Sequence, residues 1–181
     1  MIRMTWLLLI LIAPCCMANS ENLYRRLIEQ SLNQQPLCLG EDHWPVSIKL
    51  GSDRWINAKM EALVDAGLIT SHVEAGKKSW TLTQYGYTSF SKKHDLCYGT
   101  MRVRKILKTQ QDRSGITLVT FTYYIHALPA WAKNQSVRVA NTDLDNLVAG
   151  IESVRYLAKF SQDSHGKLRL LNVPEQIDLL Y

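Results

Sequence analysis

The sequence predicts an α+β protein: an N-terminal helical part packed on a C-terminal antiparallel β-sheet that carries one helix. Three observations predict it. Apolar residues recur at helical spacing in residues 21–33 and 52–66. The stretch ITLVTFTYYIHAL, residues 116–128, is dominated by β-branched and aromatic side chains that suit a pleated, half-buried surface. Short polar turns, QQDRSG and SQDSHG, separate strand-like runs, and connections that short join antiparallel neighbours.

The chain has 181 residues and begins unlike the rest of itself. Arg3 is followed by an unbroken apolar run from Trp6 to Ala13, then Pro14, then small residues at Cys16 and Ala18. That order is the pattern of an export signal peptide over residues 1–18. Small side chains at −3 and −1 place cleavage before Asn19, or before Glu21 if Ala18 and Ser20 are used. An uncleaved anchor is the competing reading, but the apolar run falls short of the ~20 residues that span a bilayer. Cys15 follows Pro14 and Cys16 follows Cys15, which suits lipidation poorly. The expected product is periplasmic or secreted, with no stable membrane insertion after cleavage.

Removing residues 1–18 removes one charge, Arg3, so the net charge goes from +5 to +4. The basic residues are dispersed in short groups: Arg25–Arg26, Lys77–Lys78, Lys92–Lys93 and Arg102–Arg104–Lys105. This is the charge of a solvated surface and not of a nucleic-acid coat. Four cysteines become two after cleavage, Cys38 and Cys97. An even pair in an exported chain predicts one disulfide; two free buried thiols are the competing reading.

Residues 21–33, ENLYRRLIEQSLN, place Leu23, Leu27, Ile28 and Leu32 on one helical face, and Pro36 ends the helix. Val46, Ile48 and Leu50 alternate as a short strand. Ser52 is the expected N-cap of a second helix, with Asp53 in its first turn and Trp55, Ile56, Met60, Leu63 and Val64 on one face. Gly67 stops it. LITSHVEA, GKK and SWTLTQYG read as strand, turn and strand.

This segment resembles the wing of winged-helix proteins of the MarR-like and PadR-like kinds, over residues 52–88. Leu63, Ala66, Gly67, Leu68, Ile69, Trp80, Leu82, Thr83 and Gly86 carry the resemblance. It implies a winged-helix-like element in the N-terminal part and, by family habit, DNA binding. A DNA reader also needs a bracing helix just before the one that enters the groove. The sequence offers a strand and a loop there, and SDRWINAKM is poor phosphate chemistry.

Beyond Phe90, MRVRKILKT and ITLVTFTYYIHAL form a long hairpin, PAWAKNQ a loop, and TDLDNLVAGIES a helix capped by Thr142 with Asp143 and Asp145 as first-turn charges. VRYLAKF and KLRLLNV flank SQDSHG as a closing hairpin, with a helical continuation over 154–160 as the alternative. The parts are therefore residues 21–90, helical and winged; 97–172, sheet; and 173–181, a loosely docked tail.

Catalytic signatures are sparse. The five histidines, His43, His72, His94, His126 and His165, include no HxxxH or HExxH pair. Glu41-Asp42-His43 reads as an exposed loop, since three adjacent residues rarely aim at one point. No GxSxG elbow and no glycine-rich phosphate loop is present. His94–Asp95 lies in a polar linker. The residues singled out for binding are Tyr123, Tyr124, His126 and Trp131 at the end of the strongest strand, and Lys77 and Lys78 at the wing tip. Together these predict a non-catalytic exported protein that binds another exported protein or a small ligand, as an accessory, immunity, resistance or chaperone-like factor. No cofactor or metal is expected, and nucleic acid is disfavoured. A small secreted hydrolase and a membrane-anchored DNA-binding regulator are the alternatives.

Overall fold

A computed structural model describes residues 15–90 and 94–178, with side chains described from Ser20 onward. The apolar run at Trp6–Ala13 and the rest of residues 1–14 lie outside the described residues. The described residues form five α-helices, a six-stranded antiparallel sheet curled into a half-barrel, and a separate three-stranded sheet. None of the helices described is long and apolar enough to cross a membrane.

The chain starts in α1 (Cys15–Leu32), which runs through both expected cleavage sites, and continues to β1 (Leu37–Cys38) and β2 (Val46–Lys49). Helix α2 (Arg54–Asp65) follows, then β3 (Ile69–Glu74), β4 (Lys77–Leu82) and α3 (Gln84–Phe90). The long hairpin β5 (Cys97–Gln111) and β6 (Thr117–His126) leads through a 3₁₀ turn, Ala130–Lys133, to α4 (Gln135–Ala140) and α5 (Thr142–Ala149). Strands β7 (Arg155–Gln162), β8 (Leu168–Leu170) and β9 (Glu175–Gln176) finish the fold. The large sheet has the order β1-β5-β6-β7-β8, with β9 also on β7; the small one has the order β2-β4-β3.

The elements expected around the wing are present, with shifted boundaries. Asp53, not Ser52, caps α2: its carboxylate accepts from the Ile56 N–H at 2.9 Å, while the Ser52 hydroxyl donates back to Lys49. The β3–β4 turn is Ala75–Gly76, both left-handed, so Lys77 and Lys78 belong to the strand. The second strand ends at Leu82, because the Thr83 hydroxyl accepts from the Gly86 N–H and starts α3. Gly86 lies so close to the preceding turn that a Cβ there would sit 1.8 Å from the Leu68 carbonyl oxygen. Leu63, Leu68, Ile69 and Trp80 are fully buried around this contact, so the pattern that carries the family resemblance is a packing pattern.

Two corrections concern the C-terminal half. PAWAKNQ is not a plain loop: it makes the 3₁₀ turn and leads into α4, capped by the Asn134 side chain, so two helices occur here and not one. Residues 155–162 are strand, as the hairpin reading expects. The described part of the tail, residues 173–178, is docked: β9 pairs with β7, and Asp178 accepts from the Arg155 guanidinium at 2.6 Å and from the Arg155 backbone N–H at 2.7 Å.

Two apolar clusters share Leu37, Leu128, Leu147 and Val148 at their border. One joins α2 and the small sheet to Leu96, Tyr98, Trp131, Val137 and Leu144. The other places Ile28 and Leu32 of α1 on Met101, Val103, Phe121 and Phe160 of the large sheet. The N-terminal helix thus covers the C-terminal sheet, while α4 packs on α2. Helix α1 also completes the open edge of β5. Arg25 donates to the Val103 carbonyl at 2.7 Å, and Glu29 accepts from the Val103 N–H at 3.2 Å.

Candidate binding site at the sheet junction

Strand β1 joins the large sheet through the pairs Leu37↔Gly99 and Cys38↔Cys97, and the two cysteines form a disulfide. The turn before β5 reinforces this join. Asp95 accepts from the backbone N–H groups of Gly40 at 3.1 Å, Glu41 at 3.0 Å and Leu96 at 2.6 Å. Ligand atoms of Cys38, Asp95 and Cys97 lie within 4.8 Å of one another. They form no metal centre in the oxidised protein, because the sulfurs are bonded to each other and the carboxylate already holds three donors.

Two cavities flank the disulfide. The first, of about 310 Å³, opens between the start of β5, the end of β6 and α3; His126, Trp131, Pro129, Cys97 and Ser89 line it. His126 stands exposed at the rim, and Trp131, with 3% of its surface accessible, forms the floor. Ser89 and His126 bring a hydroxyl and an imidazole to one cavity, the raw material of nucleophilic catalysis. The rest of that constellation is absent from the lining. The Ser89 hydroxyl donates to the Tyr85 carbonyl at 3.2 Å, and among the described residues no carboxylate lines the cavity to orient the imidazole.

The second cavity, of about 290 Å³, lies on the Cys38 side, between the start of α2 and the α4–α5 junction. Trp55, Lys59, Tyr98, Asn141, Thr142 and Asp143 bound it. Sequence reasoning missed this one. It grouped Trp55 with the apolar residues of its helix and gave the side chain no role; the indole is 64% exposed. The available signal was SDRWINAKM itself: Trp55 comes two residues after the cap, ahead of the apolar stripe of Ile56, Met60 and Leu63.

The other residues singled out from the sequence are dispersed. Tyr123 is not on a surface: it is buried, donates to the Leu147 carbonyl at 2.6 Å, and packs edge-on to Tyr156 at 5.4 Å. Burial, with Tyr156 and Tyr98 nearby, pushes its hydroxyl pKa well above the usual range. Tyr124 is half-buried, and its β5 register partner is Arg102. Only His126 and Trp131 of the strand-end set share a cavity.

Lys78 is not a free wing cation. It pairs with Glu61 at 2.9 Å, donates to Asn57 and lies over the Trp80 ring at 5.3 Å. Trp80 donates its indole N–H to the same Glu61 at 2.8 Å. Burial raises the Glu61 pKa, but the bonds from Lys78 and Trp80 and the Lys78 charge outweigh it and hold the carboxyl below its ordinary value. Lys77 is exposed and stands beside Lys49 in register.

The triplet Glu41-Asp42-His43 does not converge. Glu41 turns to Lys59 at 2.6 Å, while Asp42 and His43 pair with each other in solvent. His94 packs edge-on to Phe90, apart from the backbone role of Asp95.

Compared with known protein families, curated proteins and solved structures, the chain matches none.

Proposed function

We propose that the chain is an exported, non-catalytic binding protein whose winged-helix-like segment serves as scaffold and whose His126 cavity receives a small ligand. The observation that carries this reading is the cavity itself. A histidine at the rim and an indole at the floor give it recognition chemistry, and its lining supplies no oriented nucleophile. The apolar leader pattern and the Cys38–Cys97 bridge support an oxidising compartment. Two features speak against the DNA-binding alternative. Helix α4 packs on α2, and Lys78 is spent on Glu61 and Asn57.

Native mass spectrometry of the protein purified from the exported fraction of its host tests the reading. A non-covalently bound small molecule is expected, and it should be lost when Ala127→Trp fills the cavity. Ester, peptide and glycoside panels should stay flat. Turnover in any panel that Ser89→Ala or His126→Ala abolishes would instead establish the hydrolase, a reading favoured only by the shared cavity of those two residues.

A further inference from the structure

The cavity on the Cys38 side has a second set of recognition groups, independent of His126. Tyr98 is a deep polar member of it: only 3% of its surface is accessible, and its ring packs edge-on to Trp131 at 6.4 Å. Its hydroxyl takes part in no hydrogen bond among the described residues and is not sealed from solvent, so it opens into the cavity. Tyr98 lines this cavity and not the one around His126. Burial, and secondarily the charge of Asp143, pushes its pKa up to about 12. Asp143 lines the same cavity, so the hydroxyl faces that wall and remains a neutral O–H donor at physiological pH.

That wall is the start of α5. Asn141 occupies the N-cap position but makes no capping bond, because its amide donates to the Val137 carbonyl at 2.8 Å. The first-turn N–H groups at Thr142, Asp143 and Leu144 are therefore left without a side-chain partner beside the cavity. The Asp143 carboxylate adds acceptors and the Thr142 hydroxyl adds a donor and an acceptor. At the mouth, the Trp55 indole offers a flat apolar face, 64% exposed.

Charge decides between ligand classes. Lys59 is neutralised by Glu41 at 2.6 Å, so it offers little to an anion, and Asp143 repels one. A cation meets the positive end of the α5 dipole. What remains is a neutral ring with an apolar face for the indole and an edge of hydroxyls for mixed donors and acceptors. The volume, about 290 Å³, is at the lower end for small-molecule sites and suits one ring.

We infer that the cleft between the start of α2 and the α4–α5 junction binds one neutral pyranose ring of a glycan, stacked on Trp55 and hydrogen-bonded by the Tyr98 hydroxyl, the open first turn of α5 and the Asp143 carboxylate. This goes beyond the ligand of the His126 cavity and does not depend on it.

The test is an NMR titration of the purified, oxidised protein. The probes are the methyl glycosides of glucose, galactose, mannose and N-acetylglucosamine; acetate, inorganic phosphate and tetramethylammonium serve as ionic probes. At least one glycoside should shift the Trp55 indole N–H and the amides of residues 142–144 saturably. A ring of about a dozen non-hydrogen atoms should bind with a roughly millimolar dissociation constant. Trp55→Ala changes an exposed side chain and leaves the fold intact; it should weaken binding at least tenfold, with partial recovery in Trp55→Phe. Tyr98→Phe keeps the ring in the core and should weaken binding several-fold. His126→Ala should leave the titration unchanged, which separates this site from the one proposed above. The inference is overturned if no glycoside moves these signals, if Trp55→Ala binds as well as the parent, or if an ionic probe alone saturates the site.

Discussion

Removing the disulfide, by the double substitution Cys38→Ala/Cys97→Ala, should lower stability by about 4 kcal/mol. The bond joins residues 59 positions apart. In the chain-entropy account a loop of that size removes about 14 cal/mol/K from the denatured ensemble, or about 4 kcal/mol at 25 °C. For a chain of this length each kcal/mol moves the melting temperature by about 2–4 °C, so a fall of about 8–16 °C is expected. The native state should keep its geometry. Strand β1 is held independently by Leu39 N–H on the Leu96 carbonyl at 3.1 Å and by the Asp95 carboxylate on Gly40 and Glu41. The loss therefore belongs to the denatured state, which becomes freer and larger without the bridge. Urea unfolding followed by circular dichroism separates the two effects: the midpoint should fall while the m-value rises modestly. An unchanged midpoint would refute the entropic reasoning. A lost native spectrum in the absence of urea would show that β1 depends on the bond for its position.

Other consequences follow from particular contacts. Gly86→Ala should destabilise by about 3 kcal/mol or more by urea melt, because its Cβ would meet a backbone oxygen, Leu68 O, that cannot rotate away. Trp80→Ala should cost about 3–5 kcal/mol for a fully buried indole, and it also removes a donor to Glu61. The Asp178 carboxyl is held below its ordinary pKa by the Arg155 side-chain and backbone hydrogen bonds, which outweigh desolvation. Tail docking should thus be complete above the unfolded value of about 3.9 and fade as pH falls through the lower folded value. Hydrogen exchange at Ile177, whose N–H is bonded to the Arg155 carbonyl, should report that loss, and Asp178→Asn should remove the pH dependence. At high pH the sign reverses. Tyr98 has its folded pKa raised to about 12 by burial and Asp143, so its contribution is intact below about pH 10 and is lost as pH rises toward 12. Phenolate absorbance should show its delayed ionisation, absent in Tyr98→Phe.

Much of the architecture was legible because periodicity reports burial directly. The apolar stripe of α2, the β6 run and the closing hairpin all form where their patterns lie. Boundaries slipped where one side chain decides. The Thr83 hydroxyl and the Asp53 carboxylate select cap positions by hydrogen bonds that a hydrophobic pattern does not register. Helix α4 escaped because it is only six residues long and has a single buried residue, Val137. The pairing of the two clusters was also hidden. Which sheet α1 covers depends on the Arg25 and Glu29 contacts to β5, 78 and 74 residues away. Of the candidate site, His126 and Trp131 were legible as a strand-end pair. Trp55 and Tyr98 were not, since a solitary exposed indole and a core tyrosine acquire a shared cavity only when α5 is brought beside them.

Intact mass of the protein from its native host, before and after reduction and alkylation, tests the proposed export and the disulfide most directly. Export predicts a mass beginning at Asn19 or Glu21, two hydrogens light until Cys38 and Cys97 are reduced. A full-length mass with both thiols open to alkylation would contradict it.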